Sequence, residues 1–389
     1  MKSKINATIG ILGGGQLGKM LFEAGSPLNF NYRFLEKSLD CPASLICNNQ
    51  VLGSLLDDQK IRELAKISDV ISFEIEHVNT NTLIDLAKNG TKVIPDPRVL
   101  ETIQDKGLQK LFYKTNNINT LPFAICSAEN LAEEVEKWKD DKFVLKHRKG
   151  GYDGKGVQVL DKIEFGALFR EGDDGLRSVD GYVIEKYLTP VTEVSVIVCV
   201  SQDKEINSYE PCEMVFDPSS NLMDYLISPS SLNNDIQNNC KELATMAVKH
   251  FNSAGLFAVE LFVDTKNNVY VNEIAPRPHN SGHHSIESCI TSQYEQLNRI
   301  LLGLPLGDTK LICPAITCNI VGPKDVNGEY YIDNIDEIMS ISGVYIHMYG
   351  KKSTSPFRKL GHFTVISETR DEAIHKMDTV KKLLSIKSV

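Results

Sequence analysis

The sequence predicts an α/β chain that passes into α+β: a doubly wound, Rossmann-like parallel domain, a larger domain with antiparallel strands, and a small C-terminal domain. Three observations carry this expectation. The first hundred residues alternate short apolar runs with helical stripes. From Phe143 to Asn272 the apolar runs lengthen. Breaks fall near Pro95–Pro97 and at Gly303, Pro305 and Gly307. A chain of 389 residues is also long for one core. The expected domains are residues 1–104, 105–304 and 305–389.

In order, Thr8–Leu12 reads as a buried strand and Gly18–Ala24 as a helix. Tyr32–Leu35, Val70–Phe73 and Val93–Ile94 read as further strands. Asn81–Asn89 is helical, with Leu83, Leu86 and Ala87 on one stripe. After the first break comes a helix carrying Lys106 and Lys110. Strands are expected at Phe143–His147, Val157–Leu160, Tyr182–Glu185, Glu193–Val200, Ile206–Tyr209, Phe257–Val263 and Val269–Asn272. One clear helix, Asp235–Phe251, interrupts them.

The composition, 42% hydrophobic and 24% charged, is that of an ordinary globular protein. A net charge of −9 without a basic run disfavours nucleic acid, and anionic substrates need local positive charge. No apolar run reaches the length of a membrane helix, and Met1–Thr8 lacks the apolar core of a secretion signal. Nine cysteines without a CxxC pair point to a reduced, cytoplasmic protein.

Gly13-Gly14-Gly15-Gln16-Leu17-Gly18 follows a strand, opens a helix and satisfies GxGxxG, with Glu36 ending the next strand. Backbone N–H groups at a helix N-terminus can receive an anion. The motif therefore points to an anionic ligand; a dinucleotide site and a plain tight turn remain open beside that reading.

The segment Phe257–Ile274 reads as a hairpin around Asp264–Asn268. Centred between Lys266 and Asn267, it sets Glu260 opposite Glu273 and Leu261 opposite Asn272. Like charges so placed destabilise the ladder unless a divalent cation offsets them. Two unrelated glutamates on an exposed face are the competing explanation.

Lys146 ends an apolar strand, and Gly150–Gly156 follows with four glycines in seven residues. This loop lacks the Walker pattern and reads as a strand–loop–strand flap able to close amides and Lys155 over a triphosphate, or as a plain hairpin. Lys146 could reach phosphates as a point charge. Downstream, Glu185-Lys186-Tyr187-Leu188 reads as a strand passing into a linker, with Glu193 opening the next strand.

The ordered set Lys146, Gly150–Gly156, Glu185–Leu188, Glu193, Glu260 and Asn272-Glu273 resembles the ATP-grasp superfamily. Val271-Asn272-Glu273-Ile274-Ala275-Pro276-Arg277-Pro278-His279-Asn280-Ser281-Gly282-His283, the first glycine loop, Gln104-Asp105-Lys106, Tyr349-Gly350-Lys351 and Arg358-Lys359-Leu360-Gly361-His362 narrow it. Together they resemble the N5-carboxyaminoimidazole ribonucleotide synthetase family over nearly the whole chain.

The resemblance implies an ATP-grasp fold between a doubly wound N-terminal domain and a small C-terminal domain. It implies carboxylation of 5-aminoimidazole ribonucleotide with bicarbonate and ATP in purine synthesis, with magnesium, without biotin, by a homodimer. Lys106 and Lys146 would contact phosphates. Gly151, Tyr152, Asp153, Gly154, Lys155, Gly156 and Val157 would form the flap. Glu185, Lys186, Tyr187 and Leu188 would border adenine, Glu193 would take the ribose, and Asn272 would lie with them. Glu260 and Glu273 would hold magnesium. Gly15, Gln16, Leu17 and Glu74 would line the ribonucleotide site, and Lys351, Arg358 and Lys359 would take its phosphate. Arg277, His279 and Asn280 would sit by the bicarbonate-derived group, with Lys351 also in the catalytic set.

Two departures stand out. Lys106 replaces a frequent arginine, and Glu213–Asp217 replaces an Asn-x-His stretch after a proline matching Pro211, which puts any nucleotide contact there in doubt. The chemistry needs no protein nucleophile, so none of the cysteines is required. His283 and His284 adjoin the site and read as structural, since no HExxH occurs. A sister ATP-grasp ligase, an NAD-dependent oxidoreductase and an ATP sensor are the competing functions.

Overall fold

The computed structural model describes residues 6–150, 156–171, 178–217 and 223–389. The chain opens with β1 (Thr8–Leu12), α1 (Gln16–Gly25), β2 (Asn31–Glu36), β3 (Gln50–Leu52), α2 (Asp58–Lys66), β4 (Val70–Phe73) and α3 (Thr80–Lys88). The strands form a parallel sheet in the order β3-β2-β1-β4. The strand expected at Val93–Ile94 is instead a single bridge from Val93 to Ile71. Pro95 follows, and without an N–H it cannot extend a ladder. The elements β3 and α2 were not expected from the sequence.

Next come α4 (Pro97–Ile103), α5 (Lys106–Thr115), β5 (Phe123–Cys126), α6 (Leu131–Lys137), β6 (Lys142–His147), β7 (Val157–Asp161), α7 (Lys162–Glu171) and β8 (Tyr182–Lys186). The four strands pair antiparallel in the order β5-β8-β6-β7. Helix α7 corrects the expectation of one helix between Phe143 and Asn272, and α6, which lies before that stretch, was not expected from the sequence. The α6 helix buries only Leu131 and Val135, too little for a periodic signal.

The larger sheet begins with β9 (Val191–Val200), β10 (Ile206–Ser208), β11 (Cys212–Phe216), β12 (Met223–Ser228), α8 (Asn234–Lys249), β13 (Gly255–Asp264) and β14 (Val269–Ala275). After α9 (Ser285–Ser288) and α10 (Gln293–Leu302), the chain adds β15 (Ala315–Val321), β16 (Tyr330–Asp333), α11 (Ile335–Met339), β17 (Val344–Met348), β18 (Lys359–Ile366), α12 (Arg370–Leu383) and β19 (Ser385–Ser388). The order β14-β13-β9-β11-β12-β15-β18-β17 shows that strands after Gly303 extend the central sheet through the antiparallel β12–β15 pair.

Alternation along β9 and β13 feeds two cores. Val194, Val196, Val198, Val259 and Leu261 pack with Cys240, Ala244 and Ala247 of α8. Ile197, Cys199, Leu256 and Ala258 pack with Tyr294, Leu297 and Ile300 of α10 and with Ile9 and Ile11 of β1. Glu193, Ser195 and Glu260 share the parity of this second face, so the pleat aims them to the side that carries α10 and the N-terminal sheet.

Candidate active site

Asp105 organises the lysines. Its buried carboxylate caps α5, accepting from Gly107 N–H at 2.8 Å and Leu108 N–H at 3.2 Å. It also accepts from Arg148 Nε and Nη2 at 2.9 and 2.7 Å, tying α5 to the end of β6. Lys106 and Lys110 then share a helix face. Lys106 Nζ donates to Glu273 Oε2 at 3.1 Å. Lys110 Nζ lies 3.2 Å from Glu185 Oε1, and Lys146 Nζ lies 3.0 Å from Glu185 Oε2 and 3.0 Å from Asn272 Oδ1.

Glu185 is 2% exposed and Lys110 is 3% exposed. Burial pushes the Glu185 carboxyl up, but the two lysines outweigh it and hold it below the usual range. Burial pulls Lys110 down to about 8 against the attraction of Glu185. Glu185, expected at the adenine edge, has its carboxylate between two ammonium groups.

Glu260 does stand opposite Glu273, but not through the regular hairpin expected. Leu261 pairs with Val271, not Asn272, and the register shifts between Glu260 and Leu261. The bulge makes Asn272 the extra residue, so Asn272 meets Lys146 while Glu273 meets Lys106. Lys106 holds the Glu273 carboxyl well below its usual range. Burial, with Glu273 and Glu193 nearby, pushes Glu260 up. Burial also raises Glu193 to about 7, with Lys146 opposing. The cluster therefore carries carboxylates that a cation would relieve. Two opposed carboxylates and no thiolate fit magnesium, which takes its other ligands from phosphate and water. Among the described residues no group of three or more His, Cys, Asp or Glu is gathered to hold an ion.

The first glycine loop turns its amides inward. Gly15 and Gly18 donate their N–H groups to Glu74, and Gly14 donates to Glu36 Oε2 at 3.0 Å. These amides face protein carboxylates, so the loop is no ready cradle for a pyrophosphate. Burial raises Glu74 to about 7 despite those bonds. Arg277 reaches the residues beside this loop: its Nη2 lies 2.8 Å from Glu76 Oε1, and its charge acts on Glu74.

Gln16 and Leu17 begin α1. Lys351 Nζ donates to Lys359 C=O at 2.6 Å, and Arg358 Nη1 donates to Ser353. Their segment packs on the N-terminal domain: a Cβ on Gly350 would meet Leu45 at 2.0 Å, and Lys352 pairs with Asp40 at 3.0 Å. The turn Pro42–Leu45 backs the glycine loop through Ala43 N–H to Gly14 C=O, 2.9 Å.

Asn280 Nδ2 donates to Asn319 Oδ1 of β15 at 3.0 Å. Lys186 is exposed, and Tyr187 lies under Lys142, 4.7 Å from its ring centroid. Gly156, with φ +72°, accepts from His147 N–H, and Val157 pairs with Lys146. Gly151, Tyr152, Asp153, Gly154 and Lys155 lie outside the described residues.

Residues 6–104, 111–294 and 315–376 match, in turn, the ribonucleotide synthetase preATP-grasp domain, the ATP-grasp domain and the phosphoribosylaminoimidazole carboxylase C-terminal domain. The chain is 32% identical to N5-carboxyaminoimidazole ribonucleotide synthase of Staphylococcus epidermidis, covering 94% of each. The chain belongs to the N5-carboxyaminoimidazole ribonucleotide synthase family. It is also 36% identical to phosphoribosylaminoimidazole carboxylase of Ogataea methanolica, over 96% of this chain but 69% of that longer protein. In structure it is similar to the Aspergillus clavatus N5-carboxyaminoimidazole synthase in complex with ADP and 5-aminoimidazole ribonucleotide. That similarity has a TM-score of 0.86 at 29% identity, over 98% of this chain and 99% of that one.

Within this family frame the divergent Glu213 has a structural partner set. Its carboxylate accepts from Ser231 N–H and Ser230 Oγ and lies 3.3 Å from Arg370 Nη2, joining β11 to α12. Sequence reasoning left Lys110 and Arg148 out of the site. Lys110 was signalled by its spacing of four from Lys106, and Arg148 gave no signal, because its partner Asp105 lies 43 residues away. Glu36 was legible as the acidic residue that ends the strand after the glycine loop, but not as the acceptor for Gly14 N–H.

Proposed function

We propose that this chain uses ATP to join bicarbonate to the amine of 5-aminoimidazole ribonucleotide. The products are N5-carboxyaminoimidazole ribonucleotide, ADP and phosphate, in purine synthesis. The observation that supports this most is the opposed Glu260–Glu273 pair with Lys106 and Lys146 beside it, in a chain of this family.

Bicarbonate is a poor electrophile. A bicarbonate oxygen attacks the γ-phosphorus of ATP, ADP leaves, and carboxyphosphate forms. The amine then attacks the carboxyl carbon, or CO2 released from it; phosphate leaves and the amine loses a proton. Such chemistry runs on positioning and charge neutralisation. Lys106 and Lys146 bind phosphoryl oxygens, and Glu185 with Lys110 fixes Lys146. Glu260 and Glu273 would hold magnesium, which would supply positive charge to offset that of the phosphoryl groups. Leu188 and the adjoining linker backbone border adenine, Glu193 accepts from the ribose, and residues 151–157 cover the phosphates. Gly15–Leu17 with Glu74 hold the ribonucleotide, and Lys351, Arg358 and Lys359 bind its phosphate. Arg277, His279 and Asn280 hold the bicarbonate-derived group. The reading extends to a cytoplasmic homodimer that uses no biotin.

The test follows ADP release from Mg-ATP and bicarbonate with and without the ribonucleotide. Strong stimulation, lost on removing bicarbonate, is expected. ATP binding without stimulation would move the substrate to that of a sister ligase.

A further inference from the structure

We infer that Gln293 is a positioning residue for the carboxylation: its buried side-chain amide clamps the backbone of His279 and so fixes which edge of the imidazole faces Glu260. The inference rests on the reading that the Arg277–Asn280 turn holds the bicarbonate-derived group.

Gln293 is the first residue of α10 and is 0% exposed. Its Oε1 accepts from His279 N–H at 3.0 Å, and its Nε2 donates to His279 C=O at 2.8 Å. One amide thus satisfies both backbone groups of one residue, as a strand partner would. The amide is itself held. Ser292 caps α10 through Glu295 N–H at 3.1 Å, and Gln293 N–H donates to Ser285 Oγ at 2.9 Å. A Cβ on Gly282 would meet Gln293 Oε1 at 2.4 Å, so glycine there leaves the amide room.

With its backbone fixed, the His279 ring is set from one side. Its Nδ1 accepts from Ser281 N–H at 3.3 Å and lies 2.9 Å from Ser281 Oγ, which lies 2.7 Å from Ser195 Oγ on β9. Because Nδ1 accepts a backbone N–H, the neutral ring carries its hydrogen on Nε2. That nitrogen lies 3.7 Å from Glu260 Oε1. The ring therefore offers a donor edge toward the carboxylate cluster, where a bicarbonate or phosphoryl oxygen would accept.

The same helix provides an internal control. Gln296 makes the same two bonds to the backbone of Gly307, at 2.7 and 2.8 Å, in the linker before β15. The two glutamines share chemistry, burial and helix, and differ in what they hold.

The experiment compares Gln293→Met and Gln296→Met in the full chain. Both are expected to lower the unfolding midpoint by similar amounts. Gln293→Met should lower kcat about 10- to 100-fold with the KM for Mg-ATP within about twofold, because small misplacements of a reacting group cost that much. Gln296→Met should keep kcat within about twofold. Wild-type kcat in Gln293→Met, or kcat falling in both variants in step with stability, overturns the proposal. If Gln293→Met does not fold, Gln293→Glu keeps the acceptor for His279 N–H while losing the donor, and is read the same way. Turnover by the wild-type chain that ignores bicarbonate defeats the functional reading, and this proposal with it.

Discussion

Glu260 and Glu273 oppose each other across β13 and β14 because a bulge shifts the register by one residue between Glu260 and Leu261. Continued without the bulge, the Leu261–Val271 register would set Glu260 against Asn272. The bulge presents Asn272 and Glu273 to two different lysines, Lys146 and Lys106.

Glu273→Ala should therefore abolish magnesium-dependent ADP release, by at least about 100-fold, while the fold survives. Removing one of two like charges relieves repulsion even as Lys106 loses its partner. ADP release and a thermal melt check both halves. Unchanged activity would remove Glu273 from the metal assignment.

Lys110→Met should destabilise the chain by about 3–5 kcal/mol, because it leaves the buried Glu185 with one counter-ion instead of two. The KM for ATP should rise as Glu185, no longer held by Lys110, ceases to fix Lys146 and competes with the phosphates for it. Denaturant unfolding and initial rates measure the two effects.

The raised pKa of Glu74, about 7, sets a pH dependence. A carboxyl whose folded pKa exceeds its unfolded value contributes stability fully below about 4.5, and that contribution is lost as pH rises through about 7. The loss is on the order of 1–3 kcal/mol. Glu74→Gln should remove this slope, so its stability deficit against the wild type narrows between pH 5 and pH 8 (about half a unit above and one unit above the two limits). Denaturant midpoints at both pH values decide it; a constant deficit counts against the assignment.

Lys351→Met should raise the KM for the ribonucleotide about 10- to 100-fold while the KM for ATP stays within about twofold, as expected for loss of one charge-assisted bond to a phosphate. Equal rises in both constants would place Lys351 outside the ribonucleotide site.

Glu213→Ala should leave the KM for ATP within about twofold and lower stability by about 1–3 kcal/mol, since its partners are Ser230, Ser231 and Arg370. A large rise in the ATP constant would return this stretch to the nucleotide site.

Much of the fold was legible wherever the apolar pattern was long and regular. Thr8–Leu12 and Val70–Phe73 became strands with the expected bounds, and Asp235–Phe251 shifted by one to two residues to become α8. Short elements with few buried residues, such as α6 and β3, left too little pattern to read. The hairpin's facing glutamates were legible from turn chemistry and period-two alternation. The bulge was not, because an extra residue leaves each strand's own alternation almost intact.

By itself, the sequence determined the family, the parallel-then-antiparallel order of strands, and the set of lysines and glutamates that carry the proposed chemistry. These are written in local spacing and in motifs a few residues long. Only the tertiary structure decided how those charges pair. Lys110 and Lys146 share Glu185, Glu36 and Glu74 fill the glycine-loop amides, β15 joins β12, and Gln293 holds His279. Each of these last contacts is made by residues distant in sequence or on different elements. A buried charge or amide takes whichever partner the packed elements bring within reach, since leaving it unpaired costs more than most single contacts return.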